Sequence, residues 1–275
     1  MVTRPPTASR ALACNPDRGA AWYDAVVLSL PEYAQEVAPP QVFVMPAINP
    51  FSAENADMGE AEVRERLNHY GIPGDLPIVA QISRFDRWKD PEGVIAAFQL
   101  ARREVAATLV LLGDVATDDP EGQEVFESLL RHKEERIIIL TAEDSALVNA
   151  LQRRAAVILQ KSLREGFGLT ATEAMWKGAA VVAGRCGVKH QIEDGVNGFT
   201  VSRLEEAADR LVQLLKDAAL RETLGARARD TVRSRSLMTR KIEQYLDLFA
   251  AFEPRCAPDP RRLAALGAGA ADDTP

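Results

Sequence analysis

Residues 161–178 of the chain read KSLREGFGLTATEAMWKG, and two carboxylates, Glu165 and Glu173, stand eight residues apart in it around Gly166, Phe167 and Gly168. Glycines just ahead of an apolar run predict a helix that opens on a glycine-rich turn. Free backbone N–H groups and the positive end of the helix dipole make such a turn a place for a phosphate or a carboxylate. At about 1.5 Å per residue, Glu173 lies roughly 8 Å along the axis from Gly168. Carboxylates so far apart cannot share a proton, but they can hydrogen-bond hydroxyls at the two ends of a long ligand with a diphosphate between them. Taken singly, Glu165 reads as a helix-start acid and Glu173 as a solvated charge. The glycines, and the apolar Ala174, Met175 and Trp176 beside Glu173, favour the ligand reading, because an idle charge in an apolar helix is costly.

A second group lies in residues 83–90, SRFDRWKD, where Arg84 and Lys89 are five apart. A leaving diphosphate gains negative charge as its bond to a sugar breaks. Fixed cations stabilise that charge more in the transition state than in the ground state. The plainer reading pairs Arg84 and Lys89 with Asp86 and Asp90 at the surface. Gly113, before Asp114, is a weaker signal: a glycine at a strand end lets backbone approach a ligand. Glu193-Asp194-Gly195 reads as a turn.

The elements that must position these groups follow from periodicity. Short apolar runs at residues 24–30, 41–45, 77–83, 108–112, 136–140, 156–160 and 179–183, and a weaker one at 198–201, predict strands. Helical patterns occupy 58–70, 90–105, 120–133, 145–153, 168–177, 203–218, 221–234 and 238–252. Asp90 caps the second of these, with Pro91 at its first position. Asp118-Asp119 reads as a helix cap rather than a metal pair. Phe98, Trp176, Leu211 and Leu214 are expected in the core.

Strands alternating with helices predict an α/β fold, a doubly wound parallel sheet covered on both faces. Six strands between residues 77 and 201 complete such a domain, whereas the two earlier strands cannot bury a core alone. The expected division is 1–49, 50–237, a last helix at 238–252 and a mobile tail at 253–275. Ligands of open parallel sheets sit beyond the carboxyl ends of the strands. The loops after residues 82, 112, 159 and 183 therefore matter most.

Composition narrows the partners. Lys and Arg number 33 against 40 Asp and Glu, a net charge of −7. Such a chain has no broad field for nucleic acid and would hold a phosphate with a few placed cations and amides. Cys14, Cys186 and Cys256 are scattered and odd in number, against a disulfide scaffold or zinc site and for a reducing cytoplasm. His69, His132 and His190 form no cluster. No apolar run approaches the roughly 18 residues of a membrane span, and the start lacks a signal-peptide core.

The quoted segments, together with SRFDRWKDPEGVI, LPEYAQEV, VMPAINPFS and QIEDGVNGF, resemble retaining glycosyltransferases of family 4. Among these the likeness is to the trehalose glycosyltransferring synthases, and it runs from about residue 23 to 252. The resemblance implies the GT-B architecture, two facing Rossmann-like domains, with the donor bound by the C-terminal one and the acceptor by the N-terminal one. It implies that Arg84, Lys89 and Glu165 are catalytic. Arg84 and Lys89 would hold the diphosphate, helped by amides near Gly168 and Leu169. Glu165 would bind hydroxyls of the donor sugar and Glu173 the ribose, with Gly113, Gly166, Phe167 and Thr170 completing the donor contacts. The donor would be a nucleotide sugar such as UDP- or ADP-glucose, the acceptor glucose or another sugar, and no metal or other cofactor would be needed.

Two departures from the family pattern stand out. The chain opens near the last strands of the acceptor domain, and residues 1–21 resemble nothing in the family. The loop after Val182 carries single glycines, Gly184 and Gly187, where the family has a Gly-Gly pair. A nucleotide-sugar-binding module without turnover is therefore the alternative to an enzyme. An unrelated doubly wound binding protein is the third reading. Without an acceptor domain, the last helix would expose a stripe of Ile242, Tyr245, Leu246, Leu248, Phe249 and Phe252, and homo-oligomers would be expected.

Overall fold

Each expected strand and helix forms in the computed structural model, which describes residues 22–114 and 120–252. In chain order they are β1 (Val26–Leu28), β2 (Gln41–Phe43), α1 (Glu60–His69), β3 (Ile78–Ile82), α2 (Pro91–Ala101), β4 (Thr108–Gly113), α3 (Pro120–Leu130), β5 (Ile137–Thr141), α4 (Ser145–Arg154), β6 (Val157–Gln160), α5 (Leu169–Trp176), β7 (Ala180–Gly184), β8 (Phe199–Val201), α6 (Leu204–Lys216), α7 (Ala218–Arg235) and α8 (Met238–Ala251). The expectations for residues 1–21, Asp118-Asp119, the two outer cysteines and the tail lie outside the described residues. The chain divides into two units, Ile48–Leu237 and Met1–Ala47 with Met238–Pro275.

The larger unit holds a six-stranded, all-parallel sheet in the order β5-β4-β3-β6-β7-β8. Every residue of β3, β4, β6 and β7 is buried. That is why these strands read as unbroken apolar runs: helices cover both faces of a parallel sheet. Successive side chains point to opposite faces. Val79, Leu109, Leu159 and Val182 meet Phe98, Leu211 and Leu214 on one side. Ile78, Val110, Ile158 and Val181 meet Leu67, Leu147, Leu151 and Met175 on the other. Trp176 is only partly buried, with the Arg229 guanidinium 5.2 Å from its ring centroid.

The helix boundaries have local causes. α6 and α7 are broken apart at Asp217, whose carboxylate accepts from Leu220 N at 2.9 Å and so restarts the helix earlier than its charge spacing predicts. Strand order reverses between β3 and β6, which pair only at Val79 with Val157 and Ala80 with Ile158. Their carboxyl ends therefore open a crevice at the topological switch point.

In the smaller unit β1 and β2 pair in parallel. Two strands need a cover, and α8 supplies it: Leu248 is buried with Val42 and Val44, and Tyr245 and Phe252 pack against them. The expectation of a wholly exposed stripe on this helix is thus corrected. Half of it covers β2, and Ile242, Leu246 and Phe249 remain exposed.

Two predictions follow from packing. A Cβ at Gly225 of α7 would overlap the Gly178 carbonyl after α5. Gly225→Ala should lower the unfolding free energy by about 1–3 kcal/mol in urea titration, the range for overpacking a tight contact. The apolar remainder of α8 should drive self-association visible in light scattering and weakened by Leu246→Lys; a monodisperse monomer at high concentration would contradict it.

Candidate functional site

A cavity of about 210 Å³ opens where β3 and β6 part. It is lined by Ile82, Ser83, Arg84, Lys89, Gln160, Ser162, Glu165, Gly168, Thr170, Ala171, Cys186 and Val188. Three of the four expected loops contribute, those after β3, β6 and β7.

The first loop is shaped by its acids. Asp86 accepts from Lys89 N at 3.0 Å and closes a single tight turn over Arg87–Lys89. Asp90 takes a left-handed conformation, φ 51°, and caps α2 by accepting from Gly93 N at 3.2 Å. Gln81 donates to the Lys89 carbonyl at 2.7 Å from within β3. Asp86 and Asp90 are therefore occupied in building the loop, and the lysine they frame looks elsewhere. Lys89 forms an ion pair with Glu165, and Asp90 pairs with Lys161. The surface pairing considered for Lys89 is corrected. For Arg84 it holds, with Asp86 at 3.6 Å and a side chain 69% exposed at the cavity rim.

The third loop is bound to the first along its length. Leu163 N donates to the Trp88 carbonyl at 2.7 Å, and the Arg164 guanidinium stacks 4.2 Å from the Trp88 ring centroid. Gly168, φ 87°, starts α5, and a Cβ there would press on Val188. The first two amides of the helix, those of Leu169 and Thr170, have no backbone acceptor among the described residues, as is usual at a helix start, and Thr170 lines the cavity. Gly166 N donates to Glu165 Oε1 at 3.1 Å. Phe167 is buried, anchoring the turn rather than facing the cavity.

The loop after β7 packs directly on the third loop. A Cβ at Gly184 would overlap the Ser162 carbonyl, and one at Gly187, φ 64°, would strike that of Glu165. Each glycine is needed for that close approach. The Cys186 thiol donates to the Ser162 carbonyl at 2.9 Å, and burial, with Glu165 nearby, pushes its pKa up.

Of the expected donor contacts, Gly113, Gly166, Phe167, Leu169 and Glu173 are not among the residues that line the cavity. The missing side chain of Gly113 leaves room for the Ser83 carbonyl and the Phe85 ring, so it lets the first loop settle on β4 rather than a ligand. Glu173 is also outside the cavity. Burial pushes its carboxyl up, and Lys177, Gln152, Glu54 and Asn55 surround it. Lys177 donates to Asn55 Oδ1 and Gln152 Oε1, each at 2.7 Å, and burial brings its pKa down to about 7.

Other groups escaped the sequence reading. Ser162 lines the cavity and is 6% exposed, and its hydroxyl has no hydrogen-bond partner among the described residues. An unmet buried hydroxyl costs about 1–3 kcal/mol, which a ligand oxygen would recover. Gln191 accepts from Thr172 Oγ1 at 2.7 Å and donates to the Phe167 carbonyl. Asn197 in turn donates to the Gln191 carbonyl at 3.0 Å. The expected turn at 193–195 forms, with Gly195 at φ 77°, and this network ties it to the site. Polar side chains inside GVNGF and HQI, between apolar neighbours, were the signal.

Known proteins resemble this chain in sequence and fold. The family model described as glycosyl transferases group 1 matches residues 63–231. Trehalose synthase of Pyrococcus horikoshii is 39% identical over 236 residues, which cover 82% of this chain and 57% of that protein. The chain thus spans little more than half the length of the curated relative. Among solved structures, sucrose-phosphate synthase from Thermosynechococcus elongatus superposes with a TM-score of 0.70 at 26% identity, covering 83% of this chain and 59% of that one. Anabaena Alr3699/HepE, in complex with UDP and glucose, superposes with a TM-score of 0.72 at 19% identity, covering 84% and 64%.

The Glu173–Lys177 pair makes a testable prediction. With Lys177 near 7 when folded and at its ordinary 10.5 when unfolded, the unfolded chain holds a proton that the folded chain has lost between those values. Its contribution to stability therefore falls as pH drops from 10.5 towards 7 and levels off below. Glu173→Gln removes the carboxylate that favours the charged lysine, so the Lys177 pKa should fall further in lysine-resolved NMR titration; an unchanged pKa would contradict the pairing.

Proposed function

The chain belongs to the group 1 glycosyl transferases, and from that premise we propose that it moves a glucosyl group from a nucleotide sugar to a sugar acceptor with retention at C1. With glucose as acceptor the product is trehalose. The likeness to trehalose synthase supports both sugars. The observation that carries the reading is the meeting of Lys89 and Glu165, from separate loops, in the cavity at the head of α5.

The roles follow from charge. The donor's diphosphate takes the place of Glu165 beside Lys89, with Arg84 at the rim and the Leu169 and Thr170 amides at the helix start. As the bond from C1 to the diphosphate oxygen breaks, its electron pair stays on the diphosphate, where these groups stabilise it without a metal. Glu165, released from Lys89, accepts from hydroxyls of the donor sugar. Ser162 donates to a donor oxygen. For Glu173 to hold the ribose, its carboxylate must turn from Asn55 and Gln152.

A second reading, donor binding without turnover, has its own support. The cavity, at about 210 Å³, is smaller than pockets that enclose a whole small ligand, which run from roughly 300 Å³. Exclusion of water from a transfer reaction needs a facing wall. The test combines calorimetry with UDP and ADP and an assay for trehalose from nucleotide-glucose and glucose. Lys89→Ala should weaken nucleotide binding about 10-fold or more, as loss of a charge-assisted bond does, and cut any turnover by about 10²–10³. Binding without trehalose would favour the second reading, and no binding at millimolar nucleotide would exclude both.

A further inference from the structure

A larger cavity, about 600 Å³, lies apart from the donor site. Gly74 ahead of β3, Arg153 and Arg154 at the end of α4, and Lys177 after α5 all line it. In a parallel sheet these positions fall at the amino-terminal edge, away from the ligand loops. We propose that this cavity is a second binding site, for an organic phosphate.

Charge is the first argument. The chain as a whole is acidic at −7, yet Arg64, Arg153, Arg154 and Lys177 share this lining with a single carboxylate, Glu60. The guanidinium charges are poorly met within the protein. Arg64 is exposed and has no hydrogen-bond or ion-pair partner among the described residues. Arg154 donates to the neutral Gly74 carbonyl at 2.9 Å. Arg153 donates to Asn149 Oδ1 and the Ala56 carbonyl, each at 2.9 Å, and its one carboxylate partner, Asp57 at 3.2 Å, is 97% exposed. A solvated pair of that kind neutralises little. Lys177 is held by Asn55 and Gln152 beside Glu173 and Glu54.

Shape is the second argument. Arginines of two helices, α1 and α4, line one cavity, and planar guanidinium groups match the oxygens of a phosphate. The floor between them is apolar, formed by Val63, Leu67 and Ile72. A free phosphate would use only the cations. A phosphate carried on a ring or carbon chain uses both surfaces.

The probes are glucose 6-phosphate and inorganic phosphate, titrated calorimetrically into the intact chain. Glucose 6-phosphate should bind more tightly than inorganic phosphate. Arg64→Glu, at an exposed and partnerless position that leaves the fold intact, should weaken it about 10-fold or more. Arg84→Ala, in the donor cavity, should leave it unchanged. No binding of either probe at roughly 10 mM would overturn the site. Loss of binding in Arg84→Ala would overturn it as well, by placing the phosphate in the donor cavity. So would equal binding to Arg64→Glu. Equal affinity for the two probes would contradict the role of the apolar floor and with it the organic phosphate. The Arg84→Ala control separates these outcomes from phosphate bound in the donor cavity, so failure of this site and failure of the donor reading are distinguishable.

Discussion

The site depends on two reciprocal ion pairs between the loops after β3 and β6. Lys89 of the first loop reaches Glu165 of the third, and Lys161 of the third reaches Asp90 of the first. All four side chains are largely buried, so each charge is stabilised mainly by its partner. Removing one partner would leave a buried charge unmet, which costs far more than the pair contributes. The crossing pairs therefore hold the two sides of the switch-point crevice at a fixed separation. Trp88, bonded through its carbonyl to Leu163 and stacked by Arg164, closes the same seam from outside.

That arrangement bears on how an acidic chain could hold the proposed anion. Lys89 and Glu165 neutralise each other while the cavity is empty, which keeps an uncompensated cation out of a low-dielectric crevice. In the proposed function, an incoming diphosphate would exchange with the carboxylate, and the freed carboxylate would become an acceptor for sugar hydroxyls. On that proposal one pair would supply both a cation for the leaving group and an anion for the sugar. The backbone follows the same logic. Gly168, Gly184 and Gly187 stand where a side chain would push apart loops that must touch.

Much of the fold was legible because its signals are local. Strands buried on both faces read as continuous apolar runs, and prolines and glycines bound them. Helix ends were less legible, since Asp217 starts α7 by a capping bond that charge spacing does not reveal. Among the residues lining the cavity, Arg84, Lys89, Glu165 and Gly168 could be found because they lie in the loops that follow strands or at a helix start. Glu173 could not be placed, because its surroundings are Asn55 and Gln152, brought in from far along the chain. Gly113 misled for a similar reason: a glycine marks a close approach without saying what approaches. Ser162 was missed because a serine in a loop is ordinary until its hydroxyl proves buried and unmet.

The exchange of partners at Lys89 is most directly tested by a crystal structure of the chain with UDP. Exchange places diphosphate oxygens within hydrogen-bond reach of Lys89 Nζ and of the Leu169 and Thr170 amides, with the Glu165 carboxylate turned away from Lys89. A diphosphate bound elsewhere, with the Lys89–Glu165 pair intact, would contradict it.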